Sequence, residues 1–182
     1  MTPSDQTLLA DCAAFTSQWE GCIPHLYLDG PGNVTGLMGH LFRTAVEAAT
    51  AFGVTVEEMQ PDWDAVMGSK PGMGPGYYAA LTKCRATEAQ INAVAAADLA
   101  EHVAHCARWI DGWDTLPRPA QVAAVDIDFN VKGGVTSVPH FVAAVEDRDW
   151  TAAATACHRK EGPGGVQTAR NEATAALFSG LG

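Results

Sequence analysis

Apolar residues recur at helical spacing in most stretches of this chain and at strand spacing in one. Over residues 4–19, Leu8, Leu9, Cys12, Phe15 and Trp19 share one helical face. Ser4 or Asp5 can accept from the first free backbone N–H groups, and Gly21 with Pro24 is predicted to end the helix. HLYLD then alternates, GPGN is a turn signal, and VTGLMG returns, so residues 25–40 predict a small β-hairpin. RTAVEAATAFG predicts a short helix stopping at Gly53, and Thr55 opens another. SKPGMGPGYY reads as a Gly- and Pro-rich loop. A long helix follows over residues 86–111, capped by Thr87, with Ile91, Val94, Ala95, Leu99, Val103, Cys106 and Ile110 in one stripe. LPRPAQVAAVDIDFN predicts another helix, with Pro119 in its first turn and Gly133–Gly134 as its stop. Helices over residues 139–146, 148–158 and 165–179 complete the pattern.

The picture is a mostly α domain with one β-hairpin lobe near its N-terminus. With neither an internal repeat nor an interdomain linker, residues 1–182 are expected to form a single domain, carrying a helical and loop insertion over about 43–84.

Composition narrows the function classes. A net charge of −10 repels phosphate backbones, so a nucleic-acid partner is not expected. No apolar run is long enough for a transmembrane helix, and the N-terminus lacks the basic region of a signal peptide. The five cysteines, Cys12, Cys22, Cys84, Cys106 and Cys157, include no CxxC pair, and their number is odd. They read as small apolar core residues rather than a zinc site or a disulfide framework.

The run WEGCIPHLYLDGPGNVTGLMGHLF holds the candidate chemistry. Glu20 closes the first predicted helix. A Glu there is ordinarily solvated, yet the partial negative charge of a helix C-terminus suits a carboxyl that must hold a proton. Asp29 before Gly30 is ordinary turn chemistry, Thr35 is an ordinary strand residue, and His40 reads more readily as structural support than as a catalyst. Spacing changes the weighing. A hairpin folding back beside the helix end puts two carboxyls across a groove, the arrangement that glycoside hydrolysis needs, and a hydroxyl can hold the water in line.

Glu20-Gly21, Tyr27, Asp29, Gly32, Thr35, Gly39 and His40 resemble in register the motif of the phage-type lysozymes, glycoside hydrolase family 24. LPRPAQVAAVDIDFNVKGG, HFVAAVEDRDWTAAATACHR and GGVQTARNEATAALF are similar, in the same order, to that family's later helices. The resemblance implies a mostly α, lysozyme-like α+β fold. It further implies a muramidase, an inverting hydrolase of the β-1,4 bond between N-acetylmuramic acid and N-acetylglucosamine that needs no metal or cofactor. Glu20 would be the general acid, and Asp29, helped by Thr35, would orient and activate the water. Asn130, Phe129 and Leu41 would contact the glycan, and His40 and Tyr27 would support the site.

Several positions depart from the family pattern. Leu37 stands where the family has Gly, and Gly36 fills the place before it, so the hairpin is expected to bulge or shift. Lys132 replaces another Gly, Asn171 takes the second place of an Arg pair of which Arg170 remains, and 43–84 is long. Its Tyr77 and Tyr78 could cover the groove as a lid or form a plain surface loop.

Two rivals stand beside the hydrolase: a lytic transglycosylase, which needs the Glu alone, and a wall-binding protein with catalysis lost. The expected partner is the peptidoglycan glycan strand, with an immunity or delivery protein as a further candidate. The protein is expected to be a monomer without membrane insertion. It would reach the cell wall or periplasm after holin-type release, as an endolysin, or by injection as an antibacterial effector.

Overall fold

The computed structural model describes residues 3–160 and 166–181, without the side chains of residues 3–5 and 166, so the caps expected at Ser4 and Asp5 lie outside what is described. Described helices and a three-stranded antiparallel sheet of order β1-β2-β3 give the mostly α architecture with a β-hairpin lobe that the sequence predicts. Contacts along the chain gather into two compact units, residues 20–98 and residues 1–19 with 99–182. No described helix is long and apolar enough to cross a membrane.

The unit of residues 20–98 holds β1 (Ile23–Leu28), β2 (Val34–Leu37) and β3 (His40–Leu41), then α2 (Ala45–Phe52), α3 (Val56–Met67) and α4 (Pro75–Ala79). Helix α2 stops at Gly53 in the left-handed region, and α3 starts with a capping box between Thr55 and Glu58, both where the sequence puts them. The core closes around Leu26, Leu28, Val34, Phe52, Met59 and Tyr78. The Gly- and Pro-rich stretch is not all loop. It holds α4, a five-residue helix anchored by Tyr78, which is 0% exposed. Tyr78 is therefore a core residue and has no face to offer a sugar.

Helix α5 (Glu88–Trp109) starts in this unit. Thr87 caps it, and Gln90 returns a bond to the Thr87 N–H at 2.8 Å. It passes into the second unit after Asp98. That unit also contains α1 (Pro3–Thr16), α6 (Arg118–Asn130), α7 (Pro139–Glu146), α8 (Trp150–Ala156) and α9 (Val166–Ala176). Helix α6 is buried on every side from Ala120 to Asp128, as a central helix must be. Val125 and Ile127 contribute about 1.5–3 kcal/mol each by that burial. The same helix sinks two carboxylates, Asp126 and Asp128, which is tolerable only if both are fully bonded.

They are. Asp126 accepts from Arg159, from Arg170 at 2.6 Å and from the Thr174 hydroxyl at 3.0 Å. Asp128 accepts from His102 Nδ1–H at 2.8 Å, His105 Nδ1–H at 2.7 Å and the Val135 N–H at 2.7 Å. A Cβ on Gly134 would overlap the Asp128 carboxylate, which explains the second glycine of the pair after α6. Cys12, Cys106 and Cys157 are buried in this core. Burial pushes the Cys12 thiol up to about 12, that of Cys157 to about 11 and that of Cys106 further, so none is a nucleophile at neutral pH. Cys22 is exposed and departs from the core reading.

Candidate active site

The three strands place one row of the expected residues side by side. Tyr27 on β1 stands opposite Thr35 on β2, and Thr35 stands opposite Leu41 on β3. Directly paired residues lie on the same face of a sheet, so Tyr27, Thr35 and Leu41 line one face, while Leu26, Leu28 and Val34 turn into the core. Leu41 is 47% exposed and Thr35 only 5%.

Helix α1 ends at Thr16, earlier than the sequence pattern suggests, and a tight turn continues it to Trp19, whose N–H bonds to the Thr16 carbonyl at 3.0 Å. Glu20 therefore stands in a bend beyond the helix, where the field of the helix end, which fades within its last turn, is weaker than the sequence reading assumes. Its Oε2 lies 3.9 Å from where a Cβ on Gly39 would sit. The carboxyl thus hangs over the turn between β2 and β3.

Asp29 follows β1 and opens the turn. Its Oδ1 accepts the Asn33 backbone N–H at 2.7 Å and its Oδ2 the Asn33 side-chain N–H at 3.0 Å. The Thr35 hydroxyl donates to the Asn33 carbonyl at 3.2 Å. Asn33 therefore holds both residues that the sequence assigns to the water. Nothing beyond the turn-forming GPGN string announces it.

Tyr27 feels the charge of both carboxyls. Burial, then the charge of Asp29, then that of Glu20, raise its pKa. Its hydroxyl sits in the field of both carboxyls and keeps its proton. His40 Nδ1–H donates to Asp98 on α5 at 2.8 Å, and its ring meets Phe42 edge-on at 4.7 Å. Asp98 was not visible as a partner in the sequence, because it lies 58 residues away on a helix face.

The hairpin bulges, as the Gly36–Leu37 exchange suggests. Ile23 pairs with Leu37 and Tyr27 with Thr35, so β1 carries extra residues between the two pairs. Gly36 accommodates the bulge, since a Cβ there would lie 3.1 Å from the His25 carbonyl oxygen. Leu37 takes φ 58, a left-handed conformation costing a non-glycine residue about 1–2 kcal/mol. Its side chain is 0% exposed, and burying a Leu is worth about 1.5–3 kcal/mol, so the burial outweighs the strain.

Phe129 and Asn130, expected at the glycan, are the last residues of α6 in the other unit. There Phe129 packs on His102, with ring centres 5.1 Å apart, and joins Glu101, His105 and Asp128 around a pocket of about 550 Å³. Among the described residues no group of three or more His, Cys, Asp and Glu is arranged to hold a metal ion.

No protein-family model matches the chain, and no curated protein is similar to it in sequence. Its structure is similar to that of the muramidase domain of SpmX from Asticaccaulis excentricus, at a TM-score of 0.58 and 16% identity, over 96% of this chain and 95% of that one. The fold is lysozyme-like.

Proposed function

We propose that this chain is a muramidase that hydrolyses the β-1,4 bond between N-acetylmuramic acid and N-acetylglucosamine in peptidoglycan. The observation that carries this reading is the placement of two half-exposed carboxyls in the β lobe, Glu20 over the β2–β3 turn and Asp29 just after β1, held by Asn33. A lysozyme-like fold and the muramidase domain among its structural neighbours support it.

In the proposed reaction, Glu20 gives its proton to the glycosidic oxygen as the bond from that oxygen to C1 of the muramic acid breaks. A water attacks C1 from the opposite face and gives up a proton to Asp29. The products are a free 4-hydroxyl on N-acetylglucosamine and a reducing muramic acid with inverted configuration. Asn33 aims the Asp29 carboxylate and Thr35 stiffens the same turn. Leu41 gives an apolar contact on the exposed end of the row. Phe129 and Asn130 are proposed glycan contacts as well. Peptidoglycan strands are the partner, and the setting is the cell wall or periplasm, reached by holin-type release or by injection.

One observation favours a second reading. Both Asp29 oxygens are engaged by Asn33, and Thr35 is nearly covered. A site that uses Glu20 alone, as a lytic transglycosylase would, needs neither of them for water.

The test is digestion of purified peptidoglycan by the parent and by Glu20→Gln, with soluble fragments identified by mass. Reducing muramic acid ends from the parent, and a fall of about 10²–10⁴ in rate for the variant at unchanged Tm, are expected. Anhydro ends would replace the hydrolase with the transglycosylase. Wall binding with no fragments at all would leave a binding protein.

A further inference from the structure

Helix α4, which closes the segment from Lys70 to Ala79, packs on β1, the edge strand that carries His25 and Tyr27. The segment touches the strand and its turn at two points and is cross-braced within itself at a third. His25 Nε2–H donates to the Pro75 carbonyl at 2.9 Å. The Tyr78 hydroxyl donates to the Lys70 carbonyl at 2.8 Å. Pro71 packs over the catalytic turn, its Cβ 3.7 Å from where a Cβ on Gly32 would sit. These contacts set the segment against the strand as one wall beside it.

Three tyrosine rings link β1 to that wall. Tyr27, in the field of Glu20 and Asp29, meets Tyr78 at 6.3 Å between centres, and Tyr78 meets Tyr77 edge-on at 5.2 Å and 86°. Tyr78 is wholly buried, whereas Tyr77 is 41% exposed. An aromatic ring backed by an immobile one gives up little freedom on binding, and its apolar face with a polar tip suits the C–H face and hydroxyl rim of a sugar.

From this row we propose that Tyr77 is a stacking platform for a hexosamine ring of the same glycan strand, some way from the bond that is cut. It makes residues 70–79 a chain-length determinant of the site. The inference rests on the muramidase reading for its substrate.

The test compares the full-length parent with Tyr77→Ala and Tyr77→Phe. Substrates are peptide-free tetra- and octasaccharides of alternating N-acetylglucosamine and N-acetylmuramic acid. Hydrolysis gives kcat and KM, and calorimetry gives octasaccharide binding in a Glu20→Gln background. Tyr77→Ala is expected to lose about five- to tenfold in kcat/KM on the octasaccharide, through KM, from one lost aromatic contact. The tetrasaccharide should be affected less, Tyr77→Phe should keep most of the parent's value, and Tm should not move. Equal behaviour of the parent and Tyr77→Ala on both lengths would overturn the platform. If the parent cleaves neither sugar, the muramidase reading fails, and calorimetry alone decides: unchanged or absent octasaccharide binding overturns the platform, and weakened binding in Tyr77→Ala supports it.

Discussion

Two pairs of carboxylates, one pair in each unit, live under opposite conditions. In the helical unit, Asp126 and Asp128 are 0% and 4% exposed, and their partners include Arg159, Arg170, His102 and His105. In the β-lobe unit, Glu20 and Asp29 are half-exposed, and Asp29 takes its bonds from a neutral amide and a backbone N–H of its own turn. A buried carboxylate locked to arginines or to two histidine N–H groups cannot change its protonation without disturbing the packing around it. A half-exposed one can exchange a proton with a ligand or with water. The first pair therefore serves stability, and the second pair is where proton chemistry is proposed.

The largest expected effect comes from breaking the buried pair. Asp126→Asn takes the counter-charge from two guanidinium groups whose side chains are 5% and 4% exposed. Removing one partner of a buried ion pair typically costs about 3–5 kcal/mol. Urea unfolding should show a loss of that size, while activity per folded molecule stays at the parent's level. A loss below about 1 kcal/mol would mean that both arginines find other partners, and that Asp126 does not belong with the stability pair.

Much of this was legible beforehand, and the misses have physical causes. Gly53, Thr55 and Thr87 punctuate their helices where the sequence places them, because caps are local chemistry. Helix α4 was invisible, since five residues among glycines show no periodicity and only the burial of Tyr78 makes them a helix. The end of α1 was overrun because the turn from Thr16 to Trp19 keeps the apolar spacing of a helix without being one. At the candidate site the residue types and their order were readable from the motif. Their restraints were not. Asn33 looks like a turn residue, and Asp98 is one of three acids on α5, with nothing local to mark it.

Asp128 gives the next effect, read as a pH dependence. Burial alone would raise its pKa, but the bond from His102, the Val135 N–H, and the bond and charge of His105 together hold it below the usual carboxylate value. With the folded carboxyl depressed, the unfolded chain binds more protons between the two values, so stability rises with pH through that window. The contribution is complete above the unfolded value of about 3.9 and is lost as pH falls through the folded value. Urea midpoints taken from pH 6 down into the acid range should therefore fall more steeply in the parent than in Asp128→Asn. Parallel acid limbs would show that this carboxylate is not a stability residue.

The smallest effect sharpens the comparison from the other side. If Asp29 is a working carboxylate, Asn33 is a positioning residue whose side chain restrains one of its oxygens, at 3.0 Å on an exposed turn. Asn33→Ala leaves the backbone N–H bond to the other oxygen in place. An exposed hydrogen bond is worth about 0.5–1.5 kcal/mol, so the fold should lose no more than that. The rate is a different matter. A carboxylate free to rotate presents its lone pair to the water only part of the time, and misplacement by a fraction of an ångström is felt in the transition state before it is felt in binding. A fall of about tenfold in kcat with KM held, and the acid limb of the pH–rate profile kept in place, is expected for Asn33→Ala. Asn33→Asp, which sets a second negative charge against Asp29, should fall further and shift that limb upward. Should both variants cleave like the parent, the Asn33–Asp29 pair is a turn staple, and the lobe carboxylate belongs with Asp126 and Asp128 as structure, leaving Glu20 to act alone.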